Sequence, residues 1–252
     1  MPLADRDRYG EETSLRLDGV VRQRLRGNQD RLHLVLMLAL TFSTGVVDAV
    51  GYLGLDRVFT GNMTGNVVIL GMALTGADDL PVVGPIIALV GFVLGAMVGG
   101  RVLRTAEKGW TGRATWLLSV VAALIVLALV PILVTSDPYP VAATFTVTGI
   151  LGAAMGMQAG VARHLGVADV TTVVVTSTLV GLAFDSHLGR RNGQKWVRRL
   201  LAVVLIALGA LTGAALLQLQ LGYGIGLAAL ITVIVAILGH VGAPRRGAAA
   251  SA

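Results

Sequence analysis

Apolar residues fall into eight separate runs, and these runs constrain the fold more than any other feature of the chain. They lie at about residues 32–54, 58–75, 82–103, 114–135, 141–162, 169–184, 200–219 and 223–241. A helix needs about 20 apolar residues to cross a bilayer. The chain is 55% hydrophobic and 13% charged, against roughly 25% charged in soluble domains. It is therefore predicted to be an all-α polytopic membrane protein embedded in a lipid bilayer, and a soluble enzyme is excluded.

The basic residues predict the topology. Eighteen of the 20 Lys and Arg residues lie in four clusters, at positions 1–31, 101–113, 190–199 and 245–246. The positive-inside rule favours placing all four in the cytoplasm. Eight full crossings would put the 101–113 cluster outside. If 58–75 and 169–184, the shortest and most polar runs, are re-entrant or broken helices, the remaining six crossings put every cluster inside.

This topology gives a domain organisation and a location. Residues 1–31 are expected to be a basic cytoplasmic tail, 32–241 the transmembrane domain and 242–252 a short cytoplasmic tail, in a multi-pass protein of the plasma (inner) membrane. In the first tail, Leu17, Val21 and Leu25 would form an apolar stripe suited to the membrane surface; a disordered tail is the alternative. The net charge of +6 is explained by topology, so no nucleic-acid partner is expected.

The two short runs resemble each other, which indicates an internal repeat. Val58-Phe-Thr60-Gly-Asn-Met-Thr64-Gly65-Asn66 aligns with Val170-Thr-Thr172-Val-Val-Val-Thr176-Ser177-Thr178 at an offset of 112 residues. The repeat halves would be about 32–135 and 141–241. Because each half has three crossings and one short segment, the second half would be inverted relative to the first. A chance match among Val, Thr and Gly is the alternative.

Asp48 is the one acidic residue deep inside an apolar run. At about 1.5 Å per residue from Arg31 it would lie roughly 25 Å along the first crossing, in its outer third. Intramembrane carboxylates are expensive and commonly functional. A proton or cation coupling site is one interpretation. A packing role, hydrogen-bonded to Thr or Asn of the next segment, is the other.

The remaining polar candidates lie in or beside the short runs. Amides and hydroxyls there could bind a neutral solute or an ion, or could hold the helices together. The candidate substrate or ion-binding residues are Asp48, Asn62, Thr64, Asn66, Gln158, Thr172 and Thr176. No phosphate loop, nucleophile elbow or HExxH motif occurs in the sequence, so neither an enzyme nor an ATP-driven pump is expected. No cofactor and no metal site are predicted.

The glycines on two long runs are spaced four apart, at Gly91, Gly95, Gly99 and at Gly152, Gly156, Gly160. Small residues at this spacing let two helix backbones pack closely. The spacing suits packing within one chain and a seam between two copies equally well, so a homo-oligomer is possible.

Two motifs of the first half resemble a known family. Thr44-Gly-Val-Val-Asp48-Ala-Val-Gly-Tyr52, followed by Val58-Phe-Thr-Gly-Asn62-Met-Thr64-Gly65-Asn66, resembles the signature of the YoaK family of bacterial inner-membrane proteins, over roughly residues 35–240. Met155-Gly-Met-Gln158-Ala is similar to the family's second-half segment, but Ala159 and Gly160 replace an expected Gln-Asn-Ala type run. The resemblance implies a membrane location and a multi-span helical fold, and no activity.

These observations favour a secondary transporter or permease for a small solute, with alternating access around the polar candidates and Asp48 as the coupling group. A channel-like pore needs the same segments but no coupled ion. A non-transporting scaffold or regulatory protein would use the polar residues for packing and should have no cavity at Asn62 and Asn66.

Overall fold

The computed structural model describes residues 3–77, 79–136, 138–166, 175–185 and 196–243, with side chains from Gln29 onward. Within these ranges every regular element is an α-helix. The helices are α1 (Leu3–Gly54), α2 (Met63–Ala73), α3 (Val83–Leu103), α4 (Gly112–Leu127), α5 (Leu129–Val134), α6 (Val141–Leu165), α7 (Val175–Phe184), α8 (Trp196–Leu217) and α9 (Leu221–Val241). The predicted fold class, a polytopic helical bundle, is confirmed.

Six of the helices in the described ranges are long and apolar enough to cross a membrane. They are Gln29–Gly54 within α1, α3, the combined α4 and α5 (Gly112–Val134), α6, α8 and α9. The helix α2, at 11 residues, is too short to span about 30 Å of hydrocarbon. The described part of α7 has 10 residues, and the residues directly before it, 167–174, lie outside the described ranges. The first helix begins at Leu3 and continues unbroken into the first span, so residues 3–31 are helical and no break separates the expected tail from the crossing.

The third span is interrupted in its C-terminal half, and proline explains the position. Pro131 lacks an N–H donor, and its ring crowds the carbonyl of Leu127 four residues earlier. The helix α4 ends at Leu127 and α5 begins at Leu129, with Ala128 between them. The span therefore bends where the sequence places its internal proline.

The predicted glycine ladders form one helix seam inside the chain. A Cβ atom on Gly91 would lie 2.7 Å from the Gly149 carbonyl oxygen, and one on Gly95, four residues later, would meet the backbone of Ala153, also four residues later. Positions increase together along both helices, so α3 and α6 run parallel. The ladders thus serve packing within one chain, which is one of the two roles that their spacing allowed. Two helix backbones can approach this closely only where the residues between them are as small as glycine.

A second parallel seam joins α1 to α8, and its glycines were not singled out from the sequence. Gly209 fits against the backbone of Phe42, and a Cβ on Gly213 would lie 2.5 Å from the Val46 carbonyl oxygen. Gly45 on α1 fits in the same way against the backbone of Ile206. These seams are the two most extensive helix pairs of the described chain.

The first and sixth helices form the centre of the bundle, while α3 and α8 are peripheral. Two apolar clusters stabilise this centre. One surrounds Leu40, Trp110 and Leu117, and the other surrounds Val50, Ile125 and Leu151. Burial of this apolar surface against neighbouring helices fixes the backbone of α1, and so fixes the polar residues that α1 carries.

Candidate functional site

The chain reverses direction after α1 and returns along it. The N–H of Val58 donates to the Gly51 carbonyl oxygen at 3.4 Å. Asp56 and Arg57 have positive φ angles of 67° and 55°, a conformation that costs a non-glycine residue about 1 kcal/mol or more. The reversal carries Thr60, Gly61 and Asn62 back beside Asp48, in the last third of the α1 span, where α2 then begins.

Asp48 binds the return segment, the stretch of residues 55–62 that leads from α1 into α2. Its Oδ1 accepts hydrogen bonds from the backbone N–H of Gly61 at 2.6 Å and of Thr60 at 3.0 Å, and from the Thr60 hydroxyl at 3.4 Å. The side chain is 9% exposed. Because α2 starts at Met63, the carboxylate also lies near the positive end of that helix dipole. Backbone N–H groups, rather than a basic side chain, thus stabilise its charge.

Gly61 fits closely against the first helix. A Cβ atom there would lie 2.9 Å from Thr44 Cγ2 and 3.4 to 3.5 Å from the two carboxylate oxygens of Asp48. A larger residue would push the segment away from the carboxylate and lengthen the 2.6 Å bond. The glycine is therefore required for the bond to Asp48.

The two asparagines of α2 have different roles. Asn62 is the N-cap of α2, and its Oδ1 accepts from the Gly65 N–H at 3.3 Å. Asn66 is fully buried and binds the backbone of Phe59 twice, accepting from its N–H at 2.9 Å and donating to its carbonyl oxygen at 2.6 Å. Asn66 therefore binds the return segment to α2. This agrees with the interpretation that amides of the short runs hold the structure together.

Gln158 joins the two central helices. Its Nε2 donates to Thr44 Oγ1 at 3.1 Å, and Thr44 in turn donates to the Leu40 carbonyl oxygen. The Oε1 atom of Gln158 is buried without a hydrogen-bond partner among the described residues. Gln158 thus contacts the site through Thr44 instead of lining it.

A cavity of about 510 Å³ lies between the return segment and the second half of the chain. Asp48 and Tyr52 line it from α1, Asn62 and Thr64 from the start of α2, Thr176 from α7 and Ile206 from α8. Within the described chain α2 packs on α3 and α7 packs on α8, and the two short helices do not pack on each other. The cavity separates them.

The site residues predicted from the sequence thus divide into groups. Asp48, Asn62, Thr64 and Thr176 line one cavity, while Asn66 and Gln158 lie behind its walls. Thr172 lies outside the described residues. The sequence reasoning missed Tyr52, Phe59, Gly61 and Gly65 as lining residues. The position of Tyr52, one helical turn after Asp48, was the signal that could have identified it.

The charges around the cavity are few. Asp48 is the one acidic side chain among the described lining residues, which include no Lys, Arg or His. An ion pair of 2.9 Å between Asp185 and Arg199 ties the end of α7 to α8. Among the residues that the structure describes, no three His, Asp or Glu side chains lie close enough to hold a metal ion.

Comparisons with known proteins agree with this architecture. A family model described as "Protein of unknown function (DUF1275)" matches residues 36–238. UPF0700 transmembrane protein YoaK of Bacillus subtilis (strain 168) is 32% identical over 186 residues, which cover 70% of this chain and 80% of that protein. No solved structure matches. The chain is therefore a multi-pass membrane protein of the DUF1275 family, the family to which its resemblance to YoaK pointed.

Proposed function

We propose that this protein is a secondary transporter or permease for a small solute, with its binding site in the cavity beside Asp48. One observation carries the proposal: a cavity of about 510 Å³ contains a buried carboxylate and meets both short helices. Irregular backbone at membrane depth is tolerated where it lines a cavity, and half-helix ends offer polar groups there. The volume is in the range of small-molecule sites.

The proposal includes an inverted internal repeat. The helices α2 and α7 include residues of the two segments that align at an offset of 112 residues. Thr64 and Thr176 share that offset and line the same cavity. The parallel seam of α3 with α6 corresponds to the parallel seam of α8 with α1 when the halves are exchanged. This exchange of helix partners is what a two-fold axis in the membrane plane would produce.

The same topology orients the protein in the membrane. We propose that both termini face the cytoplasm of a cell whose plasma membrane holds the protein. Arg101 lies in the last turn of α3 and Arg163 in the last turn of α6. Parallel packing of α3 with α6 is consistent with Arg101 and Arg163 at one face, as the positive-inside rule requires.

Alternating access follows from how the short helices are attached. Each is packed on one outer helix, α2 on α3 and α7 on α8, while α1 and α6 form the centre. Rocking of an outer pair against the centre would move one side of the cavity relative to Asp48. Asp48 is the coupling group because protonation or cation binding would change its charge, and with it the hydrogen bonds to Thr60 and Gly61.

A scaffold or regulatory protein is the alternative of a different class, and Asn66 favours it. The paired bonds of Asn66 to Phe59 and the bonds of Asp48 to Thr60 and Gly61 serve packing. The cavity at Asn62 argues against it, because a scaffold needs no such space. A channel would use the same cavity without a coupled ion. The proposal includes no enzymatic step.

The test is a flux assay in proteoliposomes. The purified full chain is reconstituted with a trapped pH-sensitive dye, and a panel of neutral, anionic and cationic solutes is added outside under an imposed pH gradient. Proton-coupled flux that Asp48→Asn abolishes supports a transporter. Flux independent of the proton gradient and of Asp48 indicates a channel. No flux for any solute, with normal folding, favours the scaffold.

A further inference from the structure

We propose that the cavity selects a small organic cation carrying an ammonium group, held between the carboxylate of Asp48 and the ring of Tyr52. This inference rests on the proposed transport function and names its substrate class. It combines the charge of the described lining, the second oxygen of the carboxylate, and an aromatic ring beside it.

The charge balance favours a cation. The described part of the lining contains the carboxylate of Asp48 and no basic side chain. An anion placed there would meet a like charge in a poorly hydrated site, which is strongly unfavourable. An ammonium group would instead pair with the carboxylate, and pairing is what makes a buried charge tolerable. A neutral solute would gain nothing from the carboxylate that a hydroxyl or an amide could not supply.

The carboxylate is bound to the protein mainly through one oxygen. The hydrogen bonds from Gly61 and Thr60 all end on Oδ1, and the backbone N–H of Asn62 also interacts with the carboxylate. The residue lines the cavity. A carboxylate has acceptor sites on both oxygens, so an ammonium N–H group can bind Oδ2 without displacing the return segment.

Tyr52 supplies the aromatic surface. It follows Asp48 by one helical turn, so the two side chains leave α1 on the same face. Its ring stacks on Phe59, with centroids 4.9 Å apart, and the Phe59 ring packs in turn against Gly65. Phe59 thus covers one face of the tyrosine, which remains 38% exposed and lines the cavity. A cation near the open face is attracted by the ring quadrupole.

The volume and the hydroxyls fit an organic ammonium better than a metal ion. About 510 Å³ is far more than a single dehydrated ion needs. Thr64 of α2 and Thr176 of α7 also line the cavity, and a threonine hydroxyl can accept from a second polar group of the solute. A sodium or potassium site would need several oxygens converging on one point, whereas Oδ1 of Asp48 is already occupied by N–H donors.

The experiment measures binding of radiolabelled tetramethylammonium to the purified full chain, with competition by unlabelled choline, glycerol, acetate, sodium and potassium. Four variants are compared with the wild type: Tyr52→Phe, Tyr52→Leu, Asp48→Asn and the control Tyr223→Leu. Tyr223 lies on α9, 54% exposed and outside the cavity lining. Size-exclusion profiles and melting curves establish that each variant is folded.

We expect saturable binding, competition by choline alone, and loss of binding in Asp48→Asn. Tyr52→Leu should weaken binding about tenfold, equivalent to about 1.4 kcal/mol, while Tyr52→Phe and Tyr223→Leu keep it. Asp48→Asn could disturb the return segment. The comparison of Tyr52→Leu with Tyr223→Leu therefore provides a test that does not depend on the Asp48 variant. Equal loss in Tyr52→Leu and Tyr223→Leu would overturn the proposed contact.

The binding panel and the flux assay separate the two proposals. Competition by glycerol or acetate, together with Asp48-dependent flux of that solute, would overturn the cation assignment and leave the transporter intact. Displacement by sodium or potassium at the same potency would also overturn it, in favour of an inorganic cation. Absence of binding and of flux for every probe would overturn both.

Discussion

The backbone N–H of Gly61 lies 2.6 Å from Oδ1 of Asp48, so a carboxylate within the first span is bound by the main chain of the segment that leads into α2. Thirteen residues separate the two along the chain, and the reversal at Asp56 and Arg57 brings them together. The contact joins the one acidic side chain of the described cavity lining to the start of a short helix. The position of the start of α2 is thereby tied to the carboxylate of Asp48 by backbone hydrogen bonds.

Replacing Gly61 by alanine should break this link. The added Cβ would lie 2.9 Å from Thr44 Cγ2, which is too close without a shift of the backbone. We expect Gly61→Ala to lower Asp48-dependent flux at least about tenfold and to lower stability by about 1–3 kcal/mol, as overpacking does. Thermal melting and the flux assay are the measurements.

The matched control for this variant is Gly71→Ala, on the same short helix. A Cβ at Gly71 would meet no atom within 4 Å, so flux and melting temperature should stay close to those of the wild type. Equal effects of the two substitutions would show that the contact between Gly61 and Asp48 has no special role.

Substitutions at Asn66 and Thr64 should distinguish a residue of α2 that stabilises the fold from a residue that contacts the solute. Asn66→Leu removes two hydrogen bonds and leaves the N–H and carbonyl groups of Phe59 unpaired in a partly buried place. We expect a cost of up to about 1–3 kcal/mol for each unpaired group. Thr64→Val keeps the shape of an exposed cavity residue and should leave stability nearly unchanged. Loss of flux without loss of stability in Thr64→Val would assign the hydroxyl to the solute.

If Asn66→Leu has the melting temperature of the wild type, the two hydrogen bonds of Asn66 to the Phe59 backbone do not stabilise the fold. If Thr64→Val transports normally, its hydroxyl takes no part in recognition.

The seam between α3 and α6 should depend on glycine at one face of α3 and not at the other. Gly95→Ala would place a methyl group against the Ala153 backbone, whereas a Cβ at Gly100 meets nothing within 4 Å. We expect Gly95→Ala to destabilise the protein by about 1–3 kcal/mol, and Gly100→Ala to be neutral or slightly stabilising. Melting of the two purified variants in the same detergent measures the difference.

A melting temperature that falls equally in both variants would contradict the close approach of α3 and α6. An effect on oligomeric state without an effect on the monomer would instead indicate a seam between copies.

The topology can be tested with single cysteines, because the chain has none of its own. We expect Ala77→Cys, between α2 and α3, to react with an impermeant maleimide in intact cells. Lys108→Cys, between α3 and α4, should react only after the membrane is opened. Both side chains are exposed. Labelling of position 108 from outside would mean that α2 crosses fully and that the two halves run parallel, which removes the inverted repeat.

The sequence alone was sufficient for the number and the placement of the spans. Apolar length decides whether a helix can cross a bilayer, and that quantity is local. The six long runs therefore form the six described helices that are long and apolar enough to cross, and α2 and the described part of α7 are shorter. Asp48 could be recognised because an intramembrane carboxylate is costly wherever it lies in the fold.

The tertiary structure decided what each polar residue contacts. Asn62 and Asn66 have the same side chain and lie one turn apart, yet one lines the cavity while the other clamps the Phe59 backbone. No local pattern separates them, because the difference depends on where residues 55–62 return along α1. The glycine ladders were ambiguous for the same reason: spacing shows that two backbones can approach, and only packing shows that α3 meets α6. Span number follows from local apolar length, whereas the site follows from contacts between distant segments.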